Sequence, residues 1–230
     1  MIALTGVAVR VPAGGTTGAA VLLDDINLRL DERRIAVIGA NGSGKSTLLR
    51  LLNGLVLPSE GTVSVAGHDT RTAASAVRRL VGFTFTDPLS QLVLPTPADD
   101  VELSLRSRVR NRVERRACAL EWLARYGLAE VADHSIYDLS GGERQLAALV
   151  SVLAVEPSVL VCDEPTTLLD LRNRNIVAGM LDALPHQVIV ATHDLELAAQ
   201  AERTVLVHGG RVAADGAPTE VIAHYRRLMA

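Results

Sequence analysis

Lysine is almost absent from this 230-residue sequence. The chain has 23 lysines and arginines together, and Lys45 is its only lysine. Arginine presents a planar fork of donors, whereas lysine is a compact, flexible point charge. The chain uses arginine wherever either cation would serve, yet it keeps one lysine. We infer that a guanidinium does not fit at position 45.

Cysteine is nearly absent too. Cys118 and Cys162 are the only two, and they have no C-x-x-C spacing, so neither a disulfide framework nor a zinc site is indicated. A net charge of −3 argues against a general polyanion binder, and we expect no nucleic-acid partner. The arginine-rich segment 106–125 is either a solvated helix face or a docking surface.

A membrane-spanning hydrophobic run is also missing. The longest nearly unbroken apolar segment, LAALVSVLAV at 146–155, has about half the length that a span needs. The first residues, MIALTGVAVRV, lack the charged and apolar regions of a signal peptide. We therefore expect a cytoplasmic protein with no transmembrane segment, which can still dock on a membrane protein.

Short apolar segments alternate with helix-like ones along most of the chain. Helices are expected at 45–54 and 218–229, and a mostly helical region from Pro88 to about Val155. Strands are expected at 2–11, 21–30, 34–39, 61–67, 79–85, 158–164, 187–192, 204–210 and 211–216, the first two joined by a turn at 12–18. Buried Val, Ile and Leu strands between helices predict an α/β fold with a largely parallel sheet.

A phosphate-binding loop is indicated by GANGSGKS at 39–46. It follows the strand RIAVI, opens a helix and matches G-x-x-x-x-G-K-[ST]. Lys45 is expected to reach the β- and γ-phosphates, and Ser46 to coordinate Mg²⁺. The expected nucleotide-binding residues are Gly39, Ala40, Asn41, Gly42, Ser43, Gly44, Lys45, Ser46 and Thr47.

Two further strand ends carry candidate catalytic side chains. VLVCDE at 159–164 delivers Asp163 and Glu164 to the edge where open α/β sheets bind ligands. We expect Asp163 to hold Mg²⁺, usually through water, and Glu164 to orient or deprotonate the attacking water. His193 follows QVIVAT at another strand end and is expected to contact the γ-phosphate.

A second anion cradle is indicated by LSGGERQ at 139–145. Two glycines follow a serine at the start of an expected helix, where exposed backbone N–H groups and the helix dipole favour an anion.

These motifs together resemble the ATP-binding-cassette ATPases. GANGSGKST, LSGGERQ, VLVCDEPT, LLD at 168–170 and TH at 192–193 occur in the order and spacing of that family, over essentially the whole chain. The resemblance implies a P-loop NTPase (RecA-like) core with an antiparallel β subdomain and an inserted helical subdomain. It also implies one domain over 1–230, with the core at about 1–87 and 156–230 and the helical subdomain at about 88–155.

The same resemblance implies a head-to-tail dimer that uses ATP and Mg²⁺. ATP bound to the P-loop of one subunit is then expected to contact the signature segment, LSGGERQ at 139–145, of the partner subunit. Asp170 is expected at the same interface. The signature residues expected to act in trans are Ser140, Gly141, Gly142 and Glu143. Both halves of the site look intact, so a homodimer is favoured over a heterodimer.

Within the family, GFTFTDPLSQLVLPTPADDV at 82–101 resembles the energy-coupling-factor importers, and most of all their biotin-importing members. This implies a peripheral ATPase at the cytoplasmic face of the membrane, with a transmembrane scaffold and a membrane substrate-binding protein. The implied substrate is a vitamin, with biotin favoured, or a transition-metal ion such as cobalt or nickel. The alternative is a soluble cassette ATPase without a transport role, for instance in iron–sulfur assembly.

The chain departs from the family pattern at two positions. Thr86 stands where a glutamine usually contacts Mg²⁺, so the metal contact is assigned to Thr86 or to Gln91, five residues later. Val11 occupies the place of an aromatic residue that commonly stacks on adenine, so base recognition is expected either to be weak or to be supplied by other apolar contacts.

Overall fold

A computed structural model of the chain describes residues 1–12, 19–167 and 169–230. Its strands are β1 (Ile2–Pro12), β2 (Ala19–Leu30), β3 (Arg34–Ile38), β4 (Glu60–Val65), β5 (His68–Asp69), β6 (Val81–Thr84), β7 (Val159–Asp163), β8 (Gln187–Ala191), β9 (Arg203–His208) and β10 (Arg211–Gly216). Its α-helices are α1 (Lys45–Leu52), α2 (Ala74–Leu80), α3 (Pro97–Leu105), α4 (Arg112–Arg125), α5 (Gly141–Leu153), α6 (Leu171–Ala183), α7 (Leu195–Ala199) and α8 (Pro218–Met229).

A largely parallel sheet forms the centre of the molecule. Its strand order is β10-β9-β3-β8-β7-β6, and only β10 pairs antiparallel with its neighbour. All five residues of β3 and all five of β7 are buried, as expected for strands covered on both faces. The expected α/β fold with a largely parallel sheet is therefore confirmed.

A second sheet, with the order β2-β1-β4-β5, is antiparallel throughout its described part. Ile2 pairs with Leu30 and Leu4 with Leu28, and all four side chains are buried. They join the core formed by α1 and one face of the central sheet. The antiparallel β element expected beside the P-loop core is present.

Helical structure dominates between β6 and β7. A 3₁₀ turn (Pro88–Ser90) leads to α3, α4 and α5, whose apolar side chains form one core with the other face of β7 and β8. Leu123 and Leu149 lie in this core, where each is at most 1% exposed. The proposed boundaries of a helical subdomain, near residues 88 and 155, stay a prediction.

Most expected strand bounds differ from the observed ones by one or two residues, and at one strand the expected range includes part of a helix. A strand was expected over 79–85, but α2 continues through Leu80 and β6 covers only Val81–Thr84. Strand pairing begins at Val81, which lies opposite Val159, whereas the preceding arginines stay on the exposed side of α2. Most of the turn expected at 12–18 lies outside the described residues, and β1 and β2 pair antiparallel on its two sides.

Within the described ranges, the structure contains no helix with the length and apolarity that crossing a membrane requires.

Candidate functional site

The P-loop connects β3 to α1 and packs against other strands. A Cβ on Gly39, whose φ is +148°, would lie 2.2 Å from the Val207 carbonyl oxygen. A Cβ on Gly44, whose φ is +110°, would lie 2.8 Å from Leu23 Cδ2. Only glycine fits this close approach without displacing backbone or core. No side chain caps α1 and no acidic residue lies in its first turn, so its first N–H groups are available to an anion.

The Lys45 ammonium is buried against this loop. Its Nζ donates to the carbonyl oxygen of Gly39 at 2.8 Å and to that of Ala40 at 3.2 Å. Nζ also lies 3.8 Å from Glu164 Oε1, and the side chain is 6% exposed. The only lysine therefore sits at the centre of the candidate site, held by oxygen acceptors of the same loop.

A hydroxyl and a carboxylate meet where α1 begins and β7 ends. Ser46 Oγ donates to Asp163 Oδ1 at 2.9 Å, and Asp163 is 1% exposed. Burial raises the pKa of the Asp163 carboxyl above its usual range, although the Ser46 hydrogen bond and the charge of Arg50 oppose this shift. Mg²⁺ prefers oxygen ligands of these two kinds, so the pair fits the expected metal.

Glu164 and His193 lie together at the ends of β7 and β8. Glu164 has a φ of +53°, and its N–H donates to the Ala191 carbonyl oxygen at 2.9 Å. Its Oε2 lies 2.8 Å from His193 Nδ1 and accepts the Thr167 hydroxyl at 3.0 Å. His193 is much the more exposed of the two, at 57% against 13% for Glu164. The structure thus brings both expected catalytic side chains into direct contact.

Two cavities meet at Glu164 and Asn41. One extends along the P-loop and is lined by Gly42, Gly44, Lys45, Ser46 and Thr47 together with residues of β2 and the β9–β10 turn. The other is lined by Gly39, Ala40, Thr86, Thr167, His193 and Tyr225. The two expected strand ends and the P-loop therefore enclose one continuous candidate site.

Sequence reasoning missed four of the lining side chains, namely Val21, Leu22, Thr167 and Tyr225. Val21 and Leu22 of β2 line the P-loop cavity and are 53% and 37% exposed, whereas Val11 does not line it. Exposed apolar residues in a strand beside the P-loop were the available signal. Tyr225 belongs to the last turns of α8, and no local pattern connects it to this edge of the sheet.

Thr86 and Gln91 point in different directions. Thr86 lines the cavity that holds Glu164 and His193. The Gln91 amide instead donates to the Ala148 carbonyl oxygen at 2.6 Å and accepts the Phe85 N–H at 3.3 Å. Because its hydrogen bonds bind it to α5, Gln91 does not reach the candidate metal pair, and Thr86 is the better placed of the two.

The signature lies on the surface at the start of α5. Ser140 is the N-cap: its Oγ accepts the Glu143 N–H at 3.3 Å, and its N–H donates to Glu143 Oε2 at 2.8 Å. Hydrogen bonds to the Glu143 carboxylate from the Ser140 hydroxyl and from the Ser140 N–H lower the pKa of this carboxyl. Ser140 and Gly141 are exposed, and Gly142 is buried.

The start of α6 packs beside the signature. A Cβ on Gly142 would fall 2.4 Å from Asn173 Cγ, and the Asp170 carboxylate caps α6 by accepting the Asn173 N–H at 2.8 Å. Of the LLD segment, Leu168 lies outside the described residues. No described residue of the signature lines either cavity at the P-loop of its own chain.

Residues 23–167 match the family described as ABC transporter. The chain belongs to the ABC transporter family. It is 46% identical to the biotin transport ATP-binding protein BioM of Rhizobium etli over 218 residues, which cover 95% of this chain and 97% of that protein. It is 36% identical to the energy-coupling factor transporter ATP-binding protein EcfA2 of Methanospirillum hungatei over 213 residues, 89% of this chain and 54% of that protein.

Among solved structures, the chain superposes on the ATP-binding cassette MJ0796 in a dimeric post-hydrolysis state with ADP and Pi. The TM-score is 0.86 at 30% identity, covering 95% of this chain and 99% of that one. The expected P-loop NTPase fold of the cassette ATPases is confirmed. This chain is the ATP-binding and ATP-hydrolysing subunit of a transporter, as the sequence motifs predicted.

Proposed function

We propose that the chain energises an energy-coupling-factor importer for a vitamin, with biotin as the favoured substrate. The observation that carries this proposal is the 46% identity to a biotin transport ATP-binding protein over nearly the full length of both chains. The similarity to an energy-coupling factor ATP-binding protein supports the importer type. A transition-metal ion is the second substrate class.

In this proposal the subunit lies at the cytoplasmic face of the membrane, bound to a transmembrane scaffold and a membrane substrate-binding protein. It has no nucleic-acid partner. The substrate itself contacts the membrane proteins, so the residues of this chain determine how energy is supplied and not which molecule is carried.

The P-loop binds the triphosphate in this mechanism. The free N–H groups at the start of α1 donate to phosphate oxygens, and the Lys45 ammonium turns from the Gly39 carbonyl toward the β- and γ-phosphates. Ser46 and Asp163, whose Oγ and Oδ1 lie 2.9 Å apart, would hold Mg²⁺, and the bound ion would neutralise phosphate charge. Thr86 offers a further hydroxyl in the adjoining cavity, which Glu164 and His193 also line.

Glu164 acts as the general base or orienting group for the attacking water. Its carboxylate is fixed by His193 and Thr167 and lies 3.8 Å from the Lys45 ammonium, at the junction of the two cavities. His193, with its exposed ring, contacts the γ-phosphate and holds Glu164 in orientation.

Two copies of the chain associate head to tail in the proposed active form. Ser140, Gly141, Gly142 and Glu143 then face the γ-phosphate held by the partner's P-loop, and Asp170 lies at the same interface. This accounts for a signature that is exposed and separate from the cavities of its own chain. ATP joins the two subunits, hydrolysis releases them, and a homodimer suffices.

The decisive experiment for the hydrolytic site is Glu164→Gln. Removing the base while keeping the phosphate contacts is expected to lower ATP turnover at least about 100-fold and to leave Mg-ATP binding in place. The variant is also expected to remain dimeric in ATP for longer, as measured by size-exclusion chromatography. Turnover at the wild-type rate would remove Glu164 from this role.

The importer assignment is tested separately, by purifying tagged protein from its native membranes. Recovery of hydrophobic membrane proteins, and ATP-dependent biotin uptake by the reconstituted complex, are expected. Recovery of soluble partners alone would instead support the soluble cassette ATPase, and uptake of a metal ion without biotin would change the substrate.

A further inference from the structure

Arg174, in the first turns of α6, makes a two-pronged ion pair with Asp194. Its Nε lies 2.6 Å from Asp194 Oδ2, and its Nη2 donates to Oδ1 of the same carboxylate at 3.0 Å. A planar guanidinium that meets both oxygens of one carboxylate fixes orientation as well as distance. The pair therefore couples α6 to the segment that precedes α7.

The two acidic partners of Arg174 differ in their surroundings. Asp194 is 12% exposed and Arg174 26%, whereas Glu196, which accepts from Nη2 at 2.5 Å, is 82% exposed. An ion pair at the open surface contributes little, because water screens it and both side chains lose freedom. The Asp194 contact is accordingly the one expected to matter.

One end of this pair is tied to Asp170. The Arg174 N–H donates to the Asp170 carbonyl oxygen at 2.9 Å, and the Asp170 carboxylate caps the same helix. A displacement of Asp170 thus moves the first turn of α6 and the arginine with it.

The other end is tied to His193. The Asp194 N–H donates to Thr192 Oγ1 at 3.0 Å, while its carboxylate caps α7 by accepting the Glu196 N–H. His193 lies between Thr192 and Asp194 in the chain and contacts Glu164. The residues on both sides of His193 therefore belong to one network: Arg174 contacts Asp194 directly, and Asp194 in turn contacts Thr192.

We propose that Arg174 is a positioning residue that couples the subunit contact at Asp170 to the orientation of His193 and Glu164. The inference rests on the proposed function, in which Asp170 meets the partner subunit and the histidine–glutamate pair serves hydrolysis. Arg174 lines neither cavity, so we assign it no direct contact with a nucleotide bound in its own subunit. Its effect is expected on turnover of the dimer and not on nucleotide capture.

The test compares Arg174→Met and Arg174→Lys with two matched controls. Arg174→Met is expected to lower kcat about tenfold, the scale of a small misplacement at a reacting centre, with KM and the affinity for a fluorescent ATP analogue little changed. Arg174→Lys recovers part of the rate, because it restores the charge without the fork. Arg172→Met removes an exposed arginine of the same turn, and Glu196→Gln removes the solvated contact; both retain wild-type kcat.

A double-mutant cycle separates coupling from general damage. Asp194→Asn keeps a side chain able to cap α7 and removes the charge. If the two residues act as a pair, Arg174→Met combined with Asp194→Asn is no slower than the slower single variant. Additive losses in kcat, or a wild-type rate in Arg174→Met, would overturn the coupling.

A fall in kcat that comes with an equal loss of nucleotide affinity and a lower unfolding temperature would make Arg174 merely structural, which also overturns the proposal. The Glu164→Gln variant distinguishes this failure from one of the proposed function. Normal turnover in that variant contradicts the proposed site itself. Normal turnover in Arg174→Met beside an inactive Glu164→Gln contradicts the coupling alone.

Discussion

The N-terminal ends of α1 and α5 both carry glycine-rich sequences, yet their capping is opposite. At α1 the N-cap is Gly44 in a left-handed conformation, with no capping side chain and no acid in the first turn. At α5 the N-cap is Ser140, closed by a reciprocal pair of hydrogen bonds with Glu143. One terminus is open and adjoins a buried ammonium, whereas the other is capped and exposed.

The two termini therefore differ in whether they need a ligand: the start of α1 needs an anion to complete its hydrogen bonds, and the start of α5 does not. Free N–H groups at α1 lie beside a cavity, so an anion there gains partners that the protein does not supply. At α5 the Ser140 Oγ already accepts the Glu143 N–H, and the Glu143 carboxylate accepts the Ser140 N–H, so the first turn is capped from within its own chain. In the head-to-tail dimer proposed above, this exposed terminus faces the nucleotide bound by the partner.

Changing the cation at the open terminus is expected to have the largest effect. Lys45→Arg keeps the charge, but the guanidinium does not fit a loop where Nζ lies between the Gly39 and Ala40 carbonyls. We expect kcat/KM for ATP to fall about 100-fold or more, as when one preorganised donor is removed. Steady-state ATPase assays measure this.

An arginine elsewhere supplies the control for that variant. Arg172 is exposed, lies far from the P-loop in sequence and does not line its cavity. Arg172→Lys is therefore expected to leave ATPase activity unchanged. Full activity of Lys45→Arg would contradict the explanation given for the lone lysine.

Mixing two inactive variants tests whether the capped terminus is used by a neighbour. Lys45→Ala damages the P-loop and Ser140→Arg the signature. If each site combines the P-loop of one subunit with the signature of the other, a mixed dimer holds one doubly damaged site and one intact site. ATPase activity that neither variant shows alone is expected to return, at less than the wild-type level.

The mixture needs differently tagged chains, so that co-purification demonstrates mixed dimers. When such dimers are present and activity stays absent, every site must contain one lesion. The two termini would then act within one chain, against the head-to-tail arrangement.

Removing the charge of the cap, with the hydrogen bond kept, is expected to have a moderate effect. Glu143→Gln preserves the reach-back contact to the Ser140 N–H but no longer places a carboxylate beside an incoming phosphate. We expect ATP-dependent dimerisation to tighten about two- to fivefold, the range of a single charge at a helix terminus. Analytical ultracentrifugation with the slow Glu164→Gln background measures it.

Glu143→Ala is the matched variant, since it removes both the charge and the hydrogen bond to the Ser140 N–H. Its helix terminus is expected to lose about 1 kcal/mol of unfolding free energy. Equal dimerisation by Glu143→Gln and wild type would show that the carboxylate does not oppose the partner's nucleotide.

The smallest expected effect is a pH dependence of stability. The pKa of Glu143 is lowered in the folded protein by the Ser140 hydrogen bonds, so folding favours its ionised form. This contribution is complete above the unfolded pKa and is lost as pH falls through the lower folded value. The unfolding temperature of wild type relative to Glu143→Gln should therefore decline toward acid, as followed by thermal melts; an unchanged difference would contradict it.

The sequence alone determined the parts of the protein whose geometry is local. The strand, the glycine-rich turn and the helix of the P-loop follow one another in one segment, residues 34–52, so a local motif was enough to locate them. Asp163, Glu164 and His193 could be placed because the carboxyl ends of neighbouring parallel strands share one edge of a sheet. The Glu164 and His193 side chains accordingly meet, whereas Asp163 meets Ser46.

Tertiary packing determined which side chains from distant segments of the chain make contact. The Gln91 amide turns to the backbone of α5, the cavity is lined by Val21 and not by Val11, and Arg174 meets Asp194 across two elements. None of these contacts follows from periodicity or motif spacing, because each depends on which helix packs beside which strand end. A local pattern specifies which chemical groups are available, and only the packed fold decides which of them are close enough to act together.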